Sequence, residues 1–561
     1  MDNFSAQARS SNLDRMARES FDVLVIGGGI TGAGVALDAA TRGYSVALVE
    51  RHDFASGTSS KSTKLAHGGI RYLPQFDFAL VHEALIERGL MLENVPFLVR
   101  PLGFVLPIYA GDRHPVGLPI TLPFGLGIGL ELNIGLWMYD VMAGKRNIAR
   151  HEWMSRARAL SLAPSLKADG LKEAFTYYDG QLDDVRLTIT GLRTAAQWNA
   201  AIANHAEVIG FERANGKLSG ALVRDKLTGR EFVARARHIV NAGGIFAERI
   251  EALTGDEPKI QVQPSRGIHL VFDRKDVPLL DLAVVLPETE DGRILFVIPW
   301  ESRVLVGTTD TGGGDLDHPI ATDEEIAYLI RHVNRYLDVH LTREQVLSTY
   351  AGYRPLVRSR DQTQGKDLSR THAIIESDSG MVSIVGGKLT TWRLMGQDTV
   401  DHLARRDGLP LRHPTEHLPL LGAERWQETQ QELACRAGLL GLNAGIQEHL
   451  GFYYGSESLA ILDLIEHDHS LGEPLVADLP YLRAEVVHAA RHEMALTLED
   501  VLARRLRVAI EARQRGVGVA KQVASLMALQ LGWSAGQQRE QIDAYRTWAG
   551  KEGLPEEMSV A

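Results

Sequence analysis

A polar run that leads into two glycines carries much of the potential chemistry of this chain. From Thr58 to Lys64, seven consecutive side chains end in a hydroxyl or an ammonium group, and each can donate a hydrogen bond to a phosphate or sugar oxygen. The run continues as His-Gly-Gly-Ile-Arg-Tyr over residues 67–72. Two glycines there let the backbone pass close to a planar ring. The alternative for a polar run of this kind is a solvated loop.

The elements before this run predict a dinucleotide site. An apolar strand beginning at Phe21 leads into a turn with Gly27, Gly29 and Gly32, and a helical stretch and a second strand ending at Glu50 follow. Gly27 suits the tight turn, Gly29 the approach to a pyrophosphate, and Gly32 close packing of helix on strand. Because Glu50 can accept from a ribose hydroxyl and would repel a ribose phosphate, the pattern favours FAD or NAD. The polar run then favours FAD.

Two later segments repeat the arrangement of strand, glycine turn and helix. They are 237–244, with Gly243, and 382–391, with Gly386, and both are expected to add to the nucleotide-binding sheet. Between them, segments rich in β-branched residues predict a second, inserted sheet. Those segments are 261–272, 293–300 and 303–307.

The rest of the chain divides into a few predicted regions. Thr322–Glu325 and Thr342–Gln345 are capping boxes that each predict a helix, and Thr497–Asp500 is a further capping signal. From residue 425 to 549 the helical period dominates. The predicted regions are a flexible arm (1–20), an oxidoreductase domain (21–405), a linker (406–420), a helical domain (421–550) and a tail (551–561). Within the oxidoreductase domain, the predicted FAD part covers about 21–98, 165–260 and 350–405. The predicted substrate part covers about 99–164 and 261–349.

Composition excludes some function classes. A formal charge of −11 over 561 residues argues against a general nucleic-acid binder. The single cysteine, Cys435, cannot form an intrachain disulfide and fits a reducing compartment. No pattern of metal ligands stands out, so no metal is expected. The uncharged stretch 116–130, with Leu136, Trp137 and Met138 beyond it, predicts either a membrane-resting apolar surface or a buried hairpin.

Taken together, these motifs resemble the FAD-dependent glycerol-3-phosphate dehydrogenases over nearly all of residues 21–530. The resemblance extends into the helical region through His492-Glu493 and Leu498–Arg505. The chain departs from the family pattern at 241–246, where it has Asn-Ala-Gly-Gly-Ile-Phe and keeps the glycine that cofactor approach requires, and the long Gly/Leu-rich segment 101–144 also differs. The segments that carry the resemblance are 27–32, 67–72, 178–186, 296–300, 307–310, 352–356 and 386–391.

The resemblance implies an α/β fold with a Rossmann-like FAD domain of the glutathione-reductase/D-amino-acid-oxidase type, an inserted α+β substrate part and an all-α C-terminal domain. It implies oxidation of sn-glycerol 3-phosphate to dihydroxyacetone phosphate in glycerol and glycerophospholipid catabolism, with electrons passing through FAD to a membrane quinone. A homodimer in the cytoplasm, peripheral on the cytoplasmic membrane face, is expected. Two alternatives stay open, namely an oxidase that uses O2 and a non-catalytic flavin-binding regulatory protein.

The same resemblance assigns site residues. Hydride removal from a secondary alcohol needs a base, and histidine has a suitable ordinary pKa. His67 is preferred because its run also supplies Arg71, and His269 is the alternative. For the substrate phosphate the expected residues are Arg71, Tyr72, Arg354, Arg370 and Lys388, although a surface position is the simpler interpretation of Arg370. The expected FAD contacts are Gly27, Gly29, Ile30, Thr31, Gly32, Glu50, Thr58, Ser59, Ser60, Lys64, Leu65, Gly243, Gly387, Lys388, Leu389 and Thr390.

Overall fold

The structure, a computed structural model, describes residues 3–112, 128–287, 289, 292–359 and 372–553. Its strands, numbered along the chain, are β1 Ser20–Ile26, β2 Val46–Val49, β3 Leu65–Ala66, β4 Arg100–Tyr109, β5 Glu152–Ser155, β6 Leu171–Gln181, β7 Ala201–Ala203, β8 Ala206–Ala214, β9 Lys217–Asp225, β10 Glu231–Asn241, β11 Ile260–Asp273, β12 Leu282–Leu286, β13 Leu295–Trp300, β14 Arg303–Gly307, β15 Thr311–Gly312, β16 Ser348–Ser359, β17 His372–Glu376 and β18 Val382–Gly386.

The α-helices are numbered in the same way. They are α1 Ala6–Arg18, α2 Ile30–Thr41, α3 Phe78–Asn94, α4 Ile128–Ala143, α5 Arg156–Leu162, α6 Asp184–Gln197, α7 Ala247–Ala252, α8 Asp323–Tyr336, α9 Trp392–Asp407, α10 Trp426–Leu439, α11 Ala444–Tyr454, α12 Ser458–His467, α13 Arg483–His492, α14 Val508–Glu511, α15 Ala520–Leu531 and α16 Ala535–Lys551. None of the helices in the described part of the chain is long and apolar enough to cross a bilayer.

The first sheet has the order β17-β18-β10-β1-β2-β7, with β9 on β10 and β8 on β9. Its central strands, from β18 to β7, are parallel. This confirms that the segments with Gly243 and Gly386 lie in the same sheet as the first glycine turn. Parallel neighbours bring their carboxyl ends to one edge, which is where ligands bind in open α/β sheets.

Helices α2, α6 and α9 cover one face of this sheet, and small residues allow their close approach. A Cβ added at Gly34 would lie 2.5 Å from the Trp392 carbonyl oxygen, and one at Gly396 would lie 2.4 Å from the Gly34 backbone. The α2 and α9 backbones are therefore in direct contact, which brings the glycine turns that precede both helices to the same sheet edge.

The second sheet follows the order β15-β11-β14-β13-β12-β4-β6-β3, with β16 on β11 and β5 on β6. It confirms the inserted sheet, but it is larger than expected. Residues 171–181 and 350–359, which we placed in the FAD part, belong to it within β6 and β16. The reason is that β6 pairs along its length with β4, and β16 with β11.

Three local predictions were wrong. The loose arm predicted for residues 1–20 is wrong over the described residues 3–20, because α1 buries Leu13 and Met16 and its Arg9 donates to the Asn204 carbonyl at 2.9 Å. The Thr342 capping box opens only a short 3₁₀ turn, since β16 begins at Ser348. The Thr497–Asp500 signal leads into a π-helical turn, Asp500–Arg505, and not an α-helix.

Candidate functional site

The first glycine turn has the geometry that a pyrophosphate needs. Gly27 has a φ of +113°, which a residue with a side chain rarely adopts. A Cβ at Gly32 would lie 1.9 Å from the Gly27 carbonyl oxygen, so α2 could not start here with a larger residue. Gly29 caps α2 without a side chain, and the Ile30 N–H donates to the Ser59 hydroxyl at 2.9 Å. The helix N-terminus therefore offers positive charge and backbone donors.

Glu50 lies beside this turn. Its carboxylate accepts from the Gly28 N–H at 2.7 Å and from the His52 N–H at 2.9 Å, and burial raises its pKa. The acid thus stabilises the turn itself as well as standing at the end of β2. Its expected contact with a ribose hydroxyl stays a prediction.

A cavity of about 240 Å³ opens between the two sheets, next to this turn. It gathers side chains from segments that are far apart in the sequence. Of the predicted site residues, those that line it are Ile30, Thr58, Ser59, Leu65, His67, Tyr72, His269, Arg354, Gly387, Lys388, Leu389 and Thr390. Those outside its lining are Gly27, Gly29, Thr31, Gly32, Glu50, Ser60, Lys64 and Gly243. The side chain of Arg71 and all of Arg370 lie outside the described residues.

The two candidate bases both face this cavity. The His67 backbone N–H donates to the Thr390 hydroxyl at 3.2 Å, which ties the 67–72 run to the start of α9. His269 lies on β11, with Nε2 3.0 Å from the Thr63 hydroxyl and its ring stacked on Tyr350 at 4.7 Å. Nδ1 of His269 is buried and has no hydrogen-bond partner within the described residues.

The electrostatics of His269 set it apart. Burial lowers its pKa to about 3, and the nearby cations Lys64 and Arg354 act in the same direction. The imidazole is therefore neutral at physiological pH. Holding a proton on it at pH 7 would cost about 5 kcal/mol, taking 1.36 kcal/mol for each pKa unit.

Besides Lys61, the cations Arg354 and Lys388 line the cavity, and they come from different elements. Arg354, on β16, donates to the Thr309 carbonyl at 3.1 Å and to the Thr308 hydroxyl at 3.3 Å, while its ion pair with Asp310 is longer at 3.4 Å. Lys388 follows β18, and its ammonium lies 4.1 Å from the centroid of the Tyr72 ring. These positive groups make the cavity suitable for an anion.

Lys64 behaves differently from the prediction. Its ammonium forms a fully buried ion pair with Asp184 at 2.7 Å and does not line the cavity. Burial lowers its pKa to about 8, helped by the neighbouring Arg507. Lys64 therefore holds the end of the polar run against the buried Asp184. Its donation to a cofactor stays a prediction.

Sequence reasoning missed one buried acid in the cavity wall. Asp179 accepts from the Gly68 N–H at 3.1 Å, from the Tyr139 hydroxyl at 2.7 Å and from Arg88 at 2.8 Å. Burial raises its pKa. The acid holds the backbone between His67 and Gly69, and the 178–186 motif was the signal that could have identified it.

A possible metal cluster proves to be occupied by guanidinium groups. Asp53, His205 and Asp500 are the one group of potential metal ligands in the described part of the chain. However, Arg505 donates to Asp53 at 2.6 and 2.9 Å, and Arg504 donates to both Asp53 and Asp500. These positive groups neutralise the carboxylates that a metal ion would need.

The lining fits a long ligand with a charged middle and a planar end. The helix N-terminus at Gly29 offers donors for phosphates, and hydroxyls of Thr58 and Ser59 lie beside it. Gly69, Gly352 and Gly387 also line the cavity, and a Cβ at these positions would meet Tyr72, Lys61 and Met395 respectively. FAD has this shape and charge.

Comparisons with known proteins agree with this geometry. Residues 22–393 match the family model of FAD dependent oxidoreductases, and residues 413–538 match the C-terminal domain of alpha-glycerophosphate oxidase. The chain is 40% identical to glycerol-3-phosphate dehydrogenase 2 of Mycobacterium tuberculosis (strain ATCC 25618 / H37Rv) over 93% of this chain and 86% of the relative. It is 37% identical to the mitochondrial glycerol-3-phosphate dehydrogenase of Mus musculus over 93% of this chain and 72% of the relative. The crystal structure of the glycerol-3-phosphate dehydrogenase from Bacillus halodurans complexed with FAD superposes with a TM-score of 0.78 at 29% identity and covers 98% of each chain.

Proposed function

The chain belongs to the FAD-dependent glycerol-3-phosphate dehydrogenases, and from that premise we propose that it oxidises sn-glycerol 3-phosphate at C2 to dihydroxyacetone phosphate. The observation that carries the proposal is the single cavity shared by His67, His269, Arg354 and Lys388 beside the glycine edges of the first sheet. When bound there, FAD supplies the acceptor for the hydride. The protein must supply a base for the hydroxyl proton and cations for the phosphate.

His67 is the better candidate for the base. His269 has a pKa lowered to about 3 by burial and neighbouring cations, so it is a weak proton acceptor at pH 7. Its neutral ring, held by Thr63 and Tyr350, suits a hydrogen bond that orients the substrate hydroxyl. We therefore assign proton removal to His67 and orientation to His269.

Arg354 and Lys388 are proposed to bind the substrate phosphate. The planar fork of Arg354 can donate two parallel hydrogen bonds, and its long contacts to Asp310 are weak enough to exchange for a phosphate. Lys388 adds a second positive charge to the same cavity. Arg71 and Arg370 keep the roles that the resemblance implies. A non-catalytic flavin-binding protein would have no need for this convergence of a base and two cations.

The proposed electron acceptor is a membrane quinone, and the surface of α4 supports contact with a bilayer. Four apolar side chains stand out from one side of that helix, while Leu132, Leu136 and Tyr139 are buried on the other. The outward residues are Leu130, Ile134, Trp137 and Val141, with exposed fractions of 47% to 59%. Exposed apolar surface of this kind suits the interfacial region of a membrane. Most of the neighbouring stretch 116–130 lies outside the described residues.

Molecular oxygen is the second candidate acceptor, because the C-terminal region matches a family described as the C-terminal domain of alpha-glycerophosphate oxidase. One experiment tests both the reaction and the acceptor. The purified holoenzyme is mixed with glycerol 3-phosphate without oxygen, and the flavin absorbance near 450 nm is followed. Bleaching supports the reaction, and a flavin that stays oxidised with glycerol 3-phosphate refutes it. Reduced flavin that is reoxidised rapidly by a soluble quinone and slowly by air supports the quinone as the electron acceptor. Flavin that is reoxidised faster by air than by the quinone identifies an oxidase.

Vesicle sedimentation tests the membrane contact. Trp137→Asp combined with Ile134→Asp should move the protein from the pellet with anionic vesicles to the supernatant. The matched control is Leu529→Asp, because Leu529 is 80% exposed on α15 in the helical domain, far along the chain from α4. A wild-type protein that stays in the supernatant, or a double variant that sediments as well as the control, refutes the contact.

A further inference from the structure

One wall of the cavity is formed by residues 53–64, which we call the cofactor loop. Its Thr58, Ser59 and Lys61 line the cavity. The Ser59 hydroxyl accepts from the Ile30 N–H at 2.9 Å, and the Thr58 hydroxyl donates to the Tyr353 carbonyl at 2.7 Å. The cofactor loop therefore joins the first glycine turn to β16, and its shape determines the position of the donors that FAD would meet.

The outer side of the cofactor loop is held by charged residues of the C-terminal region. At its start, the fully buried Asp53 is bound by Arg505 through two hydrogen bonds of 2.6 and 2.9 Å, and Arg504 donates to it at 2.5 Å. Asn204, in the connection between β7 and β8, donates to the same carboxylate at 2.8 Å. The first residue of the loop is thus fixed from both domains.

The middle of the cofactor loop is held by a third arginine. Arg507 donates to the Ser60 carbonyl at 3.0 Å and lies 3.4 Å from Asp184. Lys64, at the end of the loop, binds the same Asp184 at 2.7 Å. All of these side chains are buried. Arg507 of the C-terminal region therefore contacts both the Ser60 carbonyl and Asp184, the partner of Lys64.

The fourth contact reaches the cavity itself. Glu552, just after α16, forms an ion pair with Lys61 at 3.1 Å, and both side chains are less than 15% exposed. The Glu552 carbonyl accepts from Arg515, which also donates to the Thr349 carbonyl at 2.8 Å. Lys61, a residue of the cavity wall, is thereby fixed by the far end of the chain.

From this convergence we propose that the C-terminal region, from the helical domain to Glu552 just after α16, holds the cofactor loop in its FAD-binding shape, with Arg504, Arg505, Arg507 and Glu552 as positioning residues. Buried ion pairs contribute little net stability compared with apolar packing, but they specify one geometry. Here three ion pairs, from Arg504, Arg505 and Glu552, and the Arg507 hydrogen bond to the Ser60 carbonyl meet one short loop. The inference rests on the cavity being the FAD site, as proposed above. Because binding and ordering are linked, bound FAD should in turn favour docking of the helical domain.

The experiment measures release of FAD from the holoenzyme, by the rise in flavin fluorescence after dilution. Glu552→Gln removes the charge that fixes Lys61, and we expect release to become faster by about fivefold, which is the size of effect that coupled pairs of charged residues produce. The matched control is Asp543→Asn, because Asp543 pairs with Arg546 on the same helix in an exposed position. The control should release FAD at the wild-type rate.

A double-mutant cycle separates positioning from general damage. Once Lys61 is replaced, Glu552 has no ion-pair partner left to fix. The double variant Lys61→Gln/Glu552→Gln should therefore release FAD at the same rate as Lys61→Gln alone. Equal or slower release in Glu552→Gln, or additive effects in the double variant, would overturn the inference. Should the wild-type protein bind no FAD, the proposed function fails; should it bind FAD and bleach with glycerol 3-phosphate while Glu552→Gln behaves as the control, only this inference fails.

Discussion

The role of Arg354 gives the sharpest test of how the cavity holds its substrate. Arg354→Met removes the guanidinium and keeps most of the side-chain length. A hydrogen bond to a charged group contributes about 1.5–3 kcal/mol, and each 1.4 kcal/mol changes an equilibrium tenfold, so the loss of a phosphate contact should raise the KM for glycerol 3-phosphate by about 10- to 150-fold. The Arg354 side chain is 28% exposed and already paired with Asp310. Solvent and that acid therefore weaken its attraction for the substrate phosphate. We therefore expect the lower part of this range, about 10- to 50-fold.

The assay is steady-state turnover of the holoenzyme with a soluble quinone. Inhibition by inorganic phosphate should weaken by the same factor as the KM rises, whereas kcat and FAD content should stay close to the wild-type values. Arg335→Met removes the same charge from an exposed position on α8 and should change neither constant. An unchanged KM in Arg354→Met, or a loss confined to kcat, would contradict the assignment of Arg354 to the phosphate.

Three further predictions follow from other parts of the structure. Gly32→Ala should abolish FAD binding, because its Cβ would lie 1.9 Å from the Gly27 carbonyl oxygen, whereas Gly135→Ala on α4 meets nothing within 4 Å and should retain the flavin spectrum. His67→Ala should keep FAD but lose most turnover, and normal anaerobic bleaching by glycerol 3-phosphate would exclude it as the base. Burial raises the folded-state pKa of the Glu511 carboxyl from 4.5 to about 7. Because the folded state then retains a proton that the unfolded state loses, the protein should become less stable as the pH rises from 5 to 7. The free energy of unfolding should then fall by at most about 3 kcal/mol across that window, and urea titrations of Glu511→Gln should show a smaller fall; an equal fall in both proteins would assign the pH dependence to other groups.

Local sequence patterns were enough to predict the nucleotide-binding half of the fold. The positive φ of Gly27 and the close approach of Gly32 to the Gly27 carbonyl are decided within a few residues. Apolar strands on either side of a glycine turn have few alternative structures. The parallel pairing of β1, β10 and β18 followed because the same strand and turn pattern recurs three times. The capping box at Thr322 was equally local, and α8 begins there with both of its hydrogen bonds formed.

Predictions failed where distant contacts decide the outcome. The first helix has few apolar residues, and it is stable because Leu13 and Met16 pack against the first sheet while Arg9 reaches Asn204 and Asp225. A sequence window contains none of those partners. The Thr342 capping box is a second example. The helix that it predicts ends after one turn, because the chain pairs with β11 as β16 from Ser348 onward.

The sequence by itself thus determined the cofactor class and the residue types available for catalysis, because turn geometry and family motifs depend on residues that are close together in the chain. Only the tertiary structure decided which of them share a site. Four separate segments supply His67, His269, Arg354 and Lys388, and the cavity between the two sheets brings these residues together. It also turned Lys64 away from that cavity toward Asp184 and connected Lys61 with Glu552, 491 residues later. Such contacts depend on burial and charge between distant segments, which no local spacing encodes.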